Sequence, residues 1–145
     1  WLILCAMVFG GAMEGAGLLQ RITAALISRV KNDGSLIATT AASCIFVNAT
    51  ASDQYLSIVL PGRMFAPVYR DRGLDPKVLS RTLEDSGTVT SALVPWNTCG
   101  AYMGSVLGVA TLAYLPFCFF NLLSPVMTVF QGAIGFRIAR LQKKS

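Results

Sequence analysis

The chain contains no histidine, and only 13% of its residues are charged, against about 25% in an ordinary soluble domain. Without histidine, Ser-His and Cys-His nucleophile pairs are excluded. The four cysteines, Cys5, Cys44, Cys99 and Cys118, are widely separated and form no Cys-x-x-Cys, so zinc and thioredoxin-type readings fail as well. Each lies in or beside an apolar run and reads as a small buried hydrophobe. Residues 1–20 also lack a basic n-region and a cleavage site, so they are not expected to be a signal peptide. No nucleophile–base pair is visible, and neither an enzymatic activity nor a cofactor is expected.

What is abundant is apolar sequence. Hydrophobic residues make up 54% of the chain, and mean hydropathy is +0.59, a composition that predicts a membrane protein. The net charge of +5 comes from basic residues clustered between apolar runs. Cytoplasmic loops of a membrane protein look like this, and no nucleic-acid partner is needed to explain it. The chain opens on Trp1 inside an apolar run, so it is expected to lack an N-terminal part. Its end, RIARLQKKS, reads as a cytoplasmic tail.

The first transmembrane helix is expected at 2–27. Its apolar heart, 2–20, is about 28 Å long as a helix, close to the hydrocarbon thickness. Gly11 and Gly15 with Ala12 and Ala16 form a small-residue face for a neighbouring helix. Glu14 beside them is a possible additional ion-site residue, or an acid bonded to a neighbouring helix. Arg21, Arg29 and Lys31, ending in Asn32-Asp33-Gly34, mark the exit from the membrane.

Residues 35–62 allow two readings. One is a single spanning helix. Its centre would then be the polar cluster Asn48-Ala49-Thr50-Ala51-Ser52-Asp53-Gln54, where unsatisfied groups are costly. The other is a re-entrant hairpin: a half-helix over 35–46, a polar tip at 47–53, and a second arm back to about Pro61-Gly62. Charge favours the hairpin. It returns to its own side, so Arg29 and Lys31 share a face with Arg63, Arg70, Arg72 and Lys77. After two further crossings, Arg137, Arg140, Lys143 and Lys144 join them, as the positive-inside bias requires.

A cytoplasmic connection is expected over 63–75. Asp75-Pro76 is a helix start, with an acidic cap and proline at the first helical position. A broken transmembrane helix is expected over 76–112. It carries Glu84 and Asp85 about 12 Å from its start, with Arg81 spaced to pair with either acid. It stops at Pro95, breaks at Trp96-Asn97-Thr98-Cys99-Gly100, and resumes over 101–112 with Gly104 and Gly108. A last transmembrane helix is expected over 116–138, with Asn121 and Ser124-Pro125 suggesting a kink, and the tail occupies 139–145. Ser57, Thr111 and Thr128 read as hydroxyls bonded back to their own helices.

Two polar breaks thus stand out, at 48–53 and 96–100. A broken helix leaves N–H groups free at one half's start and carbonyls free at the other half's end. Carbonyls with Asn, Thr and Ser oxygens suit a hard cation such as Na+, whereas the N–H ends suit an anion. A nearby carboxylate that trades a proton for the cation makes the cycle an exchange.

The blocks NATASDQYLSIVLPGRM (48–64) and LSRTLEDSGTVTSALVPWNTCGAY (79–102) closely resemble the C-terminal half of NhaC-type Na+/H+ antiporters. The resemblance covers most of the chain from about residue 35. It implies an all-α membrane fold: the second inverted repeat of a secondary transporter, with a re-entrant hairpin and a discontinuous helix. It also implies a missing N-terminal repeat of the same chain, which supplies the other half of the site.

The implied activity is secondary active exchange of Na+ for H+ across the cytoplasmic membrane, in a multi-pass protein of the cell inner membrane. Its partners would be the lipid bilayer, the two transported ions and possible homodimer contacts, with no nucleic acid. The expected cation- and proton-binding residues are Asn48, Thr50, Ser52, Asp53, Glu84, Asp85, Asn97 and Thr98. Asn48, Asp53, Asn97 and Thr98 are the candidates for a Na+ site.

Each assignment has a plainer competitor. Asp53 would equally cap the second hairpin arm, Glu84 and Asp85 would pair with Arg81 or Arg63, and Asn97 and Thr98 would satisfy the broken helix. Trp96 reads as packing or an interfacial anchor. Two alternatives of function stay open: exchange of an organic anion such as a dicarboxylate on the same fold, or a non-transporting membrane subunit.

Overall fold

The computed structural model describes residues 30–51, 53–135 and 139–140, together with Val8, Ala12, 15–17, Arg21 and Ala25. Most of the expected helix at 2–27, including Glu14, lies outside the described residues, as does Ser52 at the hairpin tip. Among the described residues every regular element is helical.

Helix α1 (Asp33–Ala51) starts on an acid, which complements the positive end of its dipole. Helix α2 (Gln54–Asp71) begins where Asp53, in extended backbone, accepts the Leu56 main-chain N–H on its carboxylate at 3.1 Å. At the far end of the pair, Arg72 lies 3.4 Å from the Asp33 carboxylate and donates to the Val30 carbonyl at 3.1 Å. The start of α1 and the end of α2 therefore meet, and the two helices form an antiparallel hairpin whose reversal is the polar stretch around residue 52.

The arms are longer than the sequence suggested. Each is about 27–28 Å long, where about 18 Å was expected. The second arm does not stop at Pro61-Gly62 but continues through Pro61 and Pro67. Each proline removes a main-chain hydrogen bond. The helix persists because Ser57, Pro61, Met64, Phe65 and Tyr69 are buried along one side of it. Phe65 and Tyr69 join Leu36, Ile37 and Cys44 of α1 in the core, with Leu74, Leu79 and Leu83 closing it.

Helix α3 (Pro76–Leu83) has the start that Asp75-Pro76 predicted, with the Asp75 carboxylate accepting the Lys77 N–H at 2.9 Å. It widens into one π-helical turn (Glu84–Thr88) and narrows again as α4 (Val89–Ser91). The chain leaves the helix before Pro95 and re-enters at α5 (Thr98–Leu107), which Asn97 caps by accepting the Cys99 N–H at 3.1 Å.

A second discontinuity follows that the sequence reading missed. Gly108 adopts left-handed backbone (φ +65°) and ends α5, a conformation glycine takes without steric penalty. The chain then turns by 83° into α6 (Thr111–Tyr114) and a 3-10 turn (Leu115–Phe117). The GxxxG spacing of Gly104 and Gly108 read as an uninterrupted helix face, but the second glycine is its stop. Helix α7 (Phe119–Ile134) is unbroken through Pro125 and packs on α1 and the π-helical turn.

Three segments that carry basic residues meet at the base of the hairpin. Arg72 and Arg140 share the Asp33 carboxylate, at 3.4 and 3.5 Å. Leu74 and Arg140 form an antiparallel bridge, and the Asp75 N–H donates to the Ala139 carbonyl at 2.9 Å. Among the described residues no single helix is long and apolar enough to cross a membrane. The bent pair Thr98–Leu107 with Thr111–Phe117 passes that test together, and α7 is a shorter apolar helix. Exposed large hydrophobic side chains, among them Tyr102, Val106, Phe117, Phe120 and Phe130, gather on α5 to α7. An apolar surface of that extent calls for a covering partner or a bilayer.

Candidate functional site

The end of α1 is amphipathic in a restricted sense: Asn48 is fully buried while its neighbours Ala49 and Thr50 are exposed. A buried amide must find partners for both its halves. The Asn48 side-chain N–H group donates to the Gly87 carbonyl at 2.6 Å and to the Thr90 hydroxyl at 3.0 Å. Its side-chain oxygen accepts from the Asn97 amide at 3.2 Å, and its main-chain carbonyl accepts from the same group at 3.3 Å. The hairpin end and the helix break are thereby joined through two fully buried asparagines.

Further contacts close this junction. The Trp96 indole N–H donates to the Ala49 carbonyl at 2.8 Å, so Trp96 is more than an anchor, although its ring is exposed. The Cys99 thiol donates to the Gln54 side-chain oxygen. Thr98, exposed, points its hydroxyl at the Asn97 oxygen 3.4 Å away. Gly100, buried at the first turn of α5, lies so close to Val94 that an added Cβ would sit 2.0 Å from the Val94 carbonyl oxygen. No residue with a side chain fits there without opening the break.

The π-helical turn contributes from the other side. An extra residue in the turn shifts the carbonyl pattern, and the Gly87 carbonyl accepts from the Asn48 amide across the helix interface. Thr90 passes its hydroxyl proton back to the Ser86 carbonyl while accepting from Asn48. The groups that meet around Asn48 and Asn97 are all neutral: two amides, a hydroxyl and main-chain carbonyls. Oxygens of these kinds are hard donors, suited to a small monovalent cation once the amide N–H groups that now occupy them swing away.

The acids named from the sequence are dispersed. Asp53 caps α2. Thr50 is exposed and donates to the Phe46 carbonyl of its own helix. Glu84 is exposed at the start of the wide turn. Asp85 pairs with Arg81 at 3.5 Å and accepts hydrogen bonds from two hydroxyls of α7, Ser124 at 3.3 Å and Thr128.

Thr128 therefore does not bond back to its own helix, and neither does Thr111, which donates to the Gly100 carbonyl at 3.3 Å. Ser57 does, donating to Gln54. The sequence reading gave no site role to Gly87, Thr90, Gln54 or Asn121, whose amide donates to the Val89 carbonyl at 2.8 Å. A polar residue every three or four positions along apolar α7 was the available signal for Asn121, Ser124 and Thr128. Among the described residues no group of three or more Cys, Asp or Glu side chains is arranged to hold a metal ion.

Comparison with known proteins bears on what this junction serves. Residues 1–136 match the Na+/H+ antiporter family. The chain is similar to the Na+/H+ antiporter NhaC of Alkalihalophilus pseudofirmus, with 42% identity over 97% of this chain and 30% of that protein. It is 40% identical to the arginine/ornithine antiporter ArcD of Halobacterium salinarum, over 92% of this chain and 27% of that protein. A malate-2H+/Na+-lactate antiporter of Bacillus subtilis is 32% identical over 92% of this chain and 28% of its own length. The chain thus spans about 30% of the length of the curated relatives it matches. No solved structure matches it. With nearly the whole chain matched, junction and hairpin included, this chain belongs to the Na+/H+ antiporter family of membrane transporters.

Proposed function

We propose that the chain is the C-terminal repeat of a secondary active antiporter that exchanges Na+ for H+ across the cytoplasmic membrane. The observation that carries this reading is the buried Asn48–Asn97 pair, which brings the two polar breaks into direct contact. In the arrangement described, the Asn48 amide stands where a cation would stand, holding the Gly87 carbonyl and the Thr90 hydroxyl. Rotation of that amide frees the Gly87 carbonyl and the Thr90 hydroxyl and turns the Asn48 side-chain oxygen towards Na+, while the Asn97 oxygen stays on the Cys99 N–H as the cap of α5. A cation-filled and an amide-filled form are then two alternative states of one junction, between which Na+ selects.

The carboxylate that exchanges a proton is Asp85 or Asp53 in this reading. Asp85 is the better placed, being two residues from the Gly87 carbonyl on the same wide turn. The repeat missing from this chain supplies the remaining ligands. The test is Na+-dependent collapse of an imposed pH gradient in everted membrane vesicles containing the full-length transporter. Asn48→Ala, Asn97→Ala and Asp85→Asn are each expected to slow it at least about tenfold, the loss of one good ligand. Wild-type rates and half-saturation in all three would overturn the proposal.

A second reading has its own support, because relatives at 40% and 32% identity are named for organic cargo. The N-terminus of α5, directed into the junction, would then receive a carboxylate group, with Na+ or H+ as the coupling ion. Counterflow of labelled malate, lactate and arginine in proteoliposomes separates the readings. Exchange of any of them at a rate matching Na+ would favour the second.

A further inference from the structure

Helix α7 is apolar and largely exposed, yet Asn121, Ser124 and Thr128 all direct their side chains at the acid-bearing helix. Spaced by three and four residues, they lie along one face. Asn121 donates to the Val89 carbonyl at 2.8 Å. Ser124 donates to one oxygen of the Asp85 carboxylate at 3.3 Å, and Thr128 to the other. Arg81 contacts that second oxygen side at 3.5 Å but is itself about half exposed, so its hold on the carboxylate is weak and screened. The two hydroxyls are the anchors that the fold fixes. Thr128 is only 7% exposed, and Pro125, next to Ser124, is buried.

Asp85 and Gly87 belong to the same π-helical turn, and opposite neighbours hold them. On one side α7 grips Asp85. On the other, Asn48 of α1 grips the Gly87 carbonyl. A π-helical turn is less rigidly bonded than the α-helix around it, so its placement depends on these outside contacts. We propose that Ser124 and Thr128 are positioning residues for the transport site. By fixing the Asp85 carboxylate they set the position of the wide turn, and with it the Gly87 carbonyl that faces Asn48. Helix α7 thus shapes the cation site through Asp85 without contacting the cation. This inference rests on the reading of the Asn48–Asn97 junction as the ion site.

The experiment uses the full-length transporter in everted vesicles and reads half-saturating Na+ and maximal rate separately. Replacing both hydroxyls (Ser124→Ala with Thr128→Val) is expected to raise half-saturating Na+ about tenfold, with the maximal rate changed less than about twofold. Thr128→Ser, which keeps the donor, is expected to behave as wild type. Each single loss, Ser124→Ala or Thr128→Val, is expected to raise it about threefold, which keeps the test usable if the double variant does not accumulate.

If the hydroxyls act through Asp85, adding Thr128→Val to Asp85→Asn produces no further shift, a non-additivity that a general loss of stability would not give. Unchanged half-saturation in the single and double hydroxyl variants overturns the inference, as does full additivity with Asp85→Asn. The two levels of the argument also separate. If Asp85→Asn is impaired while the hydroxyl variants are not, this inference alone falls. If Asp85→Asn, Asn48→Ala and Asn97→Ala are all fully active, the ion-site reading beneath it falls.

Discussion

The side-chain amide of Asn97 donates to both oxygens that Asn48 offers, the main-chain carbonyl at 3.3 Å and the side-chain carbonyl at 3.2 Å. One residue ends the first hairpin arm and the other begins the helix after the break. A neutral contact between two helix discontinuities satisfies groups that would otherwise be stranded away from water. It also ties the two breaks directly to each other.

The Asn48–Asn97 contact can be separated from the helix cap that Asn97 also makes. Asn97→Ala loses both, whereas Asn97→Ser restores an N-cap oxygen for Cys99 but is too short to reach Asn48. Asn97→Ala is expected to destabilise by about 2–4 kcal/mol and Asn97→Ser by about 1 kcal/mol less. Thermal unfolding of the full-length protein in detergent measures the difference. Equal stability of the two variants would mean that the cap contributes nothing here.

Gly100 gives a sharper steric test. A Cβ at Gly100 meets the Val94 carbonyl oxygen at 2.0 Å and its carbon at 2.8 Å, both main-chain atoms of the reversal before α5. They cannot yield without opening the break. Gly100→Ala is expected to cost about 3 kcal/mol or more, with loss of transport. Gly104 is the control. Its Cβ would meet the Val109 carbonyl oxygen at an ordinary 3.4 Å, so Gly104→Ala in mid-helix is expected to be neutral or stabilising by about 0.5–1 kcal/mol. Similar behaviour of the two alanine variants would contradict the tight reversal.

Local chemistry explains which features were legible in the sequence. Asp75-Pro76 specifies a helix start by itself, because the cap and the proline act within one turn. The polar run 48–54 and Pro95 before Asn97 announce interruptions for similarly local reasons. The end of α2 was not legible, because Pro61 and Pro67 carry a stop signal that the packing of Phe65 and Tyr69 overrides. The partners of Ser124 and Thr128 were not legible either. A hydroxyl on a helix can bond its own carbonyl four residues back, and only the tertiary arrangement offers Asp85 instead. The π-helical turn at 84–88 left no compositional mark. Gly108 had a mark, but one shared by helix contacts and helix stops.

Arg72 and Arg140 share the Asp33 carboxylate on unequal terms. Arg72 also donates to the Val30 carbonyl and its side chain is 27% exposed, whereas that of Arg140 is 75% exposed. Exposed ion pairs contribute about 0–1 kcal/mol. Arg140→Ala is therefore expected to leave stability nearly unchanged, with the residual effect abolished by about 0.5 M salt. Arg72→Ala is expected to cost about 1–2 kcal/mol, because the buried Val30 carbonyl loses its donor. Thermal unfolding at low and high salt distinguishes them, and a larger loss from Arg140→Ala would reverse the ranking.

The same cluster makes a prediction about the membrane. Asp33 starts the hairpin, Arg72 follows its second arm and Arg140 lies in the tail, and both arginines meet the Asp33 carboxylate. In a bilayer, residues in mutual contact at the base of a helical hairpin must lie on one side. A segment that crossed fully between them would set its ends a membrane thickness, about 30 Å, apart. Single cysteines replacing Lys31, Lys77 and Arg140, in a full-length background without the native cysteines, are thus expected to share one sidedness. All three should react with a membrane-impermeant maleimide in everted vesicles, whose outer face is the cytoplasmic one, and none should react in intact cells. Thr50→Cys, at the far end of α1, is expected to be protected in everted vesicles, since the arm of about 28 Å carries it away from that face. Labelling of Lys31→Cys and Lys77→Cys from opposite sides would mean that residues 35–62 traverse the bilayer once, against the hairpin in which Asp33 and Arg72 meet.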